Sequence, residues 1–163
     1  MKTGDTKLNA QDRLESFLAG INRYIEAKNL GPTEFNDEFR IAEQMSLKDM
    51  DGLTTDECFN YAYMLYQYAD HINHEKSLQD TVINWCKSSL MTIISQESEN
   101  FSADWVKYTK YEMKEATIIQ ENIVARKIHD WRDVAEARVA SLKNKEYTVR
   151  KKADCLMEKG KRL

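Results

Sequence analysis

The chain has 163 residues, 31% of them charged and 42% hydrophobic, and a formal net charge of −3. That length suits one domain, with a small N-terminal appendage at most, large enough to bury a core, and the weak net charge argues against a general nucleic-acid binder. No run of about 18 apolar residues offers a membrane span, and the opening Met-Lys-Thr-Gly-Asp lacks the apolar stretch of a signal peptide. Three widely spaced cysteines, Cys58, Cys86 and Cys155, fit buried apolar roles in a reduced compartment better than a disulfide framework. The expected location is cytoplasmic.

The first predicted helix runs from about Asn9, a capping residue, to Asn29, with Leu14, Phe17, Leu18, Ile21 and Ile25 at helical spacing. Gly31-Pro32 stops it. A weaker helix follows with Phe35, Phe39 and Ala42 on one face, and Met45 to Thr55, holding Asp51-Gly52, reads as a hinge. From Leu53 to Lys159 the chain contains no Gly or Pro, the residues that most often end helices. Thr54 and Glu57 have capping-box spacing, so a long helix should begin there. Its apolar positions, Ala62, Leu65, Ala69, Ile72, Ile83, Cys86, Leu90 and Ile93, step by three and four if Lys76 and Gln79 fill the middle, as in a heptad seam with a polar interruption. The pattern lapses over Gln96 to Asn100. Ser102 can cap a second long helix through Trp105, Tyr108, Tyr111, Ile119, Ile123, Ile128, Trp131, Ala135, Val139, Leu142, Val149, Ala153, Leu156 and Met157.

The expected fold is therefore all-α: a long helical hairpin with a seam-packed bundle core plus small N-terminal helices. The division is into an acidic helical segment, 1–52, and the hairpin with its basic C-terminal end, 53–163. Neither long helix is apolar all round, so copies of the chain or the N-terminal helices should complete the core.

Side-chain chemistry points away from catalysis. The glycines are isolated, so no phosphate-cradling loop is present, and His71, His74 and Glu75 lack the further ligands of a metal site. Glu115, Glu121 and Asn122 read as a solvated face. No cofactor, metal or catalytic residue is expected. Tyr61, Tyr63, Tyr66 and Tyr68 spread around their helix, which fits packing with polar tips exposed better than base stacking.

Charge is sorted along the sequence. Acids dominate between Glu34 and Glu57, whereas Lys143, Lys145, Arg150, Lys151, Lys152, Lys159, Lys161 and Arg162 dominate the end. Drawn as a helix, the end carries a stripe of Val149, Ala153 and Leu156, with Lys145, Lys152 and Lys159 along one edge and Lys143 and Arg150 nearer the other. Such a strip can dock on a partner helix while its cations reach phosphates. The other reading is that acidic and basic poles meet between subunits.

Leu65-Tyr66-Gln67-Tyr68 leading into Ile72-Asn73-His74-Glu75-Lys76 and Trp85, followed later by the run from Leu142 to Ala153, resembles the UvsY-like recombination mediators of large tailed phages. The resemblance covers about the last two-thirds of the chain and excludes the acidic segment. It implies a helical, non-catalytic homo-oligomer that binds single-stranded DNA and helps load a recombinase onto strands covered by single-strand binding protein. On that reading Lys143, Lys145, Arg150, Lys151, Lys152, Lys161 and Arg162 contact DNA, Tyr147 stacks on a base, and Lys76 and Lys87 contribute less. The alternative is an oligomeric helical adaptor that touches no nucleic acid.

Overall fold

The computed structural model describes residues 10–28, 34–98 and 110–163. Their regular structure is helical throughout: α1 Ala10–Ala27, α2 Glu38–Gln44, α3 Leu47–Asp51, α4 Thr55–Ser98, α5 Tyr111–Glu121 and α6 Ile123–Gly160. The long helices α4 and α6 pack as an antiparallel hairpin through their buried apolar residues. Cross-helix partners show the direction: Tyr66 meets Asp154, Asp70 meets Arg150, Lys76 meets Glu146 and Lys87 meets Glu136. The proposed caps at Asn9 and Ser102, the Gly31-Pro32 stop, and Trp105 and Tyr108 lie outside the described residues.

Helix α4 begins where the capping box placed it. The Thr54 N–H donates to Glu57 Oε2 at 2.8 Å and the Glu57 N–H to Thr54 Oγ1 at 3.4 Å, so two amides that a helix start leaves free are satisfied. Within the segment expected to be a hinge, Ser46 and Asp49 make a second box, with Ser46 N–H to Asp49 Oδ2 at 2.9 Å, and this box opens α3. The second long helix is divided: Asn122 adopts an extended backbone, φ −107 and ψ 114, between α5 and α6.

The described residues gather into two compact units. Unit 1 draws on Met1–Gly31 and Asp80–Glu136, unit 2 on Pro32–Gln79 and Ala137–Leu163. In unit 2, Cys58, Ala62, Leu65, Ala69 and Ile72 of α4 meet Val149, Ala153 and Leu156 of α6, and Phe39 and Ala42 of α2 close the cluster. Full burial of a side chain such as Leu65 or Leu156 contributes about 1.5–3 kcal/mol, whereas a helix as short as α2 has little stability alone. Phe39 and Ala42 thus supply the buried apolar attachment of α2.

In unit 1, Cys86, Leu90 and Ile94 of α4 pack with Ile118 of α5 and with Val124, Ala125 and Ile128 of α6. Ile94, not Ile93, takes the deepest position at the end of the seam, and Ile123 is 55% exposed at the start of α6. Helix α1 adds Phe17, whose ring centroid lies 6.4 Å from that of Trp85 and 6.2 Å from that of Trp131. A Cβ on Gly20 would stand 3.3 Å from the Trp85 ring, so glycine permits this close approach.

Three polar groups read from sequence as solvated or apolar have other roles. Glu115 is only 17% exposed and accepts from Arg132 at 2.6 Å, tying α5 to α6. Asn122 caps α6, its Oδ1 accepting from the N–H groups of Val124 at 2.9 Å and Ala125 at 3.1 Å. Cys58 and Cys86 are fully buried as expected, but Cys155 is exposed.

Candidate nucleic-acid interface

The basic end occupies the last part of α6, within unit 2. Val149, Ala153 and Leu156 are 3%, 0% and 1% exposed, so the apolar stripe faces the core and fixes the direction of every cation around it. Those cations fall into three groups.

The first group is Lys145, Lys152 and Lys159. Their seven-residue spacing keeps them on one edge of the helix, and that edge lies against α2 and α3. Lys145 Nζ stands 3.2 Å from Glu43 Oε1 and 5.1 Å from the centroid of the Tyr68 ring. The Tyr68 hydroxyl, and after it Glu43, hold the Lys145 pKa above its ordinary value against partial burial. Lys152 donates to the carbonyls of Glu43 and, at 2.7 Å, Met45, at the end of α2. Burial pushes its pKa down, opposed by Glu43. Lys159 donates to the Met50 carbonyl in the last turn of α3 and lies 3.6 Å from the Asp51 carboxylate. Each short helix therefore has carbonyls at its C-terminal end satisfied by a lysine from α6, which also suits the negative end of the helix dipole.

Arg150 belongs to a second group, between α4 and α6. It reaches Asp70 at 2.9 Å and Glu146 at 3.1 Å, while Glu146 also lies 3.6 Å from Lys76. Glu146, then Asp70, raise the Arg150 pKa further. Its guanidinium spans the two helices of the hairpin with 41% of the side chain still exposed.

The third group faces solvent. Lys143, Tyr147 and Lys151 follow one another at four-residue steps on the exposed side of α6. Tyr147 is 65% exposed, and Lys151 Nζ lies 5.7 Å from its ring centroid. Lys151 also sits 3.7 Å from Asp154, and Lys161 lies 2.9 Å from Glu158, but these pairs are half-exposed or more and hold their cations weakly. Arg162 is exposed beside them. Lys87, in unit 1, pairs with Glu136 at 3.7 Å in the same loose fashion.

Sequence reading missed an aromatic cluster that faces this region. Phe35, Phe39, Tyr68 and His71 lie within 6.4 Å of one another by ring centroid, with Phe39 and Tyr68 stacked at 5.3 Å. Arg40 covers the Phe35 ring at 5.2 Å, as Lys145 covers Tyr68. His71 is thus a packing residue. Among the described residues no three His, Cys, Asp or Glu side chains gather as a metal site, and no helix is long and apolar enough to cross a membrane. Of the four tyrosines near the start of α4, Tyr68 is buried, Tyr66 donates to Asp154 at 2.8 Å, Tyr61 is half-buried and Tyr63 is 64% exposed.

Unit 1 contains a cleft of about 240 Å³ between Phe17, Ile93, Glu97, Asn122 and Ile128. Its Asn122 amide is engaged with the α6 amides and, at 3.4 Å, with Glu97. The chain matches no known protein-family model, no curated protein and no solved structure.

Proposed function

We propose that this protein is a non-catalytic single-stranded DNA-binding protein of the recombination-mediator kind, which holds the strand on the exposed side of α6 and helps load a recombinase. The observation that carries the reading is Tyr147, 65% exposed, with Lys143 one turn before it and Lys151 one turn after. An exposed ring covers an unpaired base of any identity, and flanking ammonium groups neutralise the adjacent phosphates. Lys161 and Arg162 extend the cationic track to the end of the chain. Several such tracks in a homo-oligomer multiply a weak contact along one strand.

The test is the fluorescence anisotropy of a labelled oligonucleotide. Binding should weaken steeply from low to moderate salt and should favour single strands over duplex. The combined variant Lys143→Ala, Tyr147→Ala, Lys151→Ala should bind about tenfold or more weakly, because a stacked base and two phosphate contacts are lost. Unchanged affinity in that variant would remove the site, and no binding by the parent at low salt would remove the function.

A second reading, an oligomeric adaptor without nucleic acid, is favoured by one observation. Lys145, Lys152 and Lys159 are engaged with α2 and α3 inside the chain, which accounts for part of the basic surplus without any phosphate. It predicts no binding at any salt concentration and unchanged subunit association in the triple variant, read by light scattering.

A further inference from the structure

We infer that α2 and α3 form an acidic cover over a second row of strand-binding lysines, so that the chain holds part of its DNA site closed by its own N-terminal segment. The inference rests on the proposed single-strand function. Its basis is the row Lys145, Lys152 and Lys159. Apart from the Tyr68 hydroxyl of α4 beside Lys145, the acceptors on that row belong to α2, α3 and the residue that ends α2, and are oxygens of the kind a phosphate would replace: the Glu43 carboxylate, the Glu43, Met45 and Met50 carbonyls, and the Asp51 carboxylate. The row runs beside the exposed track, since Lys151 and Lys152 are successive residues of one helix. A strand lying on Lys143, Tyr147 and Lys151 therefore passes the edge of the cover.

The cover is built to move. Helices of seven and five residues are not stable in isolation, so α2 and α3 persist only through what they touch. Full apolar burial is confined to Phe39 and Ala42 of α2, while α3 buries no residue fully and adds only the partly buried Met50 to the same core. The lysine contacts add to this, and their two acidic partners are exposed enough for salt or a competing anion to weaken them: the Asp51 side chain is 87% exposed and that of Glu43 34%. Elements held this way open at the low end of a protein's stability range. Strand phosphates and the cover compete for the same ammonium groups, so binding and opening are linked.

The test compares three proteins in the anisotropy titration. Glu43→Gln with Asp51→Asn weakens the cover without removing an apolar contact. Asp37→Asn with Glu38→Gln makes the same change in net charge on the same segment, away from the lysine row. The first pair should bind an oligodeoxythymidine at least about fivefold more tightly than the control pair. Its salt slope should steepen by about 0.7 for each further lysine engaged. Hydrogen exchange of the unaltered protein supplies an independent reading: the oligonucleotide should speed exchange of amides 38–51. Equal affinity of the two variant pairs, or exchange over 38–51 that slows or stays constant on binding, overturns the cover and leaves the strand-binding function standing. No binding by any of the three proteins overturns both.

Discussion

At the residue scale, two positions set the geometry at opposite ends of α6. Asn122 closes α5 through its N–H to the Ile118 carbonyl and opens α6 through its side chain, so one residue serves two helix ends. Asn122→Ala should cost about 1 kcal/mol, and Asn122→Ser, which retains a capping oxygen, much less. A thermal melt would register the difference as roughly 2–4 °C. Gly160 closes the other end. An added Cβ would lie 3.0 Å from Phe59 Cε1 and 3.2 Å from Cys58 Cβ. Replacing glycine within a helix ordinarily gains about 0.5–1 kcal/mol, but overpacking costs about 1–3, so Gly160→Ala should lower the melting temperature. The companion change Phe59→Ala should reduce the loss caused by Gly160→Ala, because it removes the atoms that the new methyl group meets. Neither role was legible in the sequence. Asn122 sits in a run with no Gly or Pro, and the Gly160 contact joins residues about a hundred positions apart.

At the element scale, the capping boxes make the start of α4 sensitive to acid. The backbone N–H of Thr54, and then its hydroxyl, hold the Glu57 carboxyl below its ordinary value of 4.5. Ser46 does the same for Asp49, its hydroxyl first and its backbone N–H second. A carboxylate whose pKa is lower folded than unfolded stabilises the fold above the unfolded value, and that contribution disappears as pH falls through the folded one. Helicity and melting temperature should therefore decline as pH drops below 4.5. Glu57→Gln, which still completes a capping box but does not titrate, should show a shallower decline. If the two acid profiles coincide, the box does not govern the start of α4. This box was legible because its partners are three residues apart. The hairpin was legible for a related reason: Ala62, Leu65, Ala69 and Ile72 recur at the period of a helix. Helix α3 is masked in the sequence by Asp51-Gly52, which reads as a turn, although Ser46 and Asp49 carry the same three-residue signal as Thr54 and Glu57. The break at Asn122 is not legible in the sequence, because asparagine interrupts a helix less plainly than glycine or proline.

At the scale of the whole chain, the charge gradient is partly neutralised inside the fold. Acids early and bases late fit a basic tail that seeks phosphate or poles that meet between subunits, and within one chain Glu43 and Asp51 already meet Lys145 and Lys159. Composition alone cannot distinguish these cases, because it does not fix which edge of α6 lies against α2 and α3. Salt should separate the charges that hold the fold from those proposed to hold DNA. Lys87–Glu136, Lys151–Asp154 and Lys161–Glu158 are about half-exposed, and pairs of this kind contribute about 0–1 kcal/mol each. The less exposed pairs, Arg132–Glu115 and Lys76–Glu146, are screened less, and the two apolar cores are not weakened by screening. Raising sodium chloride from about 50 to about 500 mM should thus move the melting temperature by only a few degrees, while strand affinity falls by orders of magnitude. Calorimetry beside the anisotropy titration measures both. Should the melting temperature collapse over the same range, loss of binding would report unfolding, and the exposed ion pairs would have to be counted as part of the structural framework.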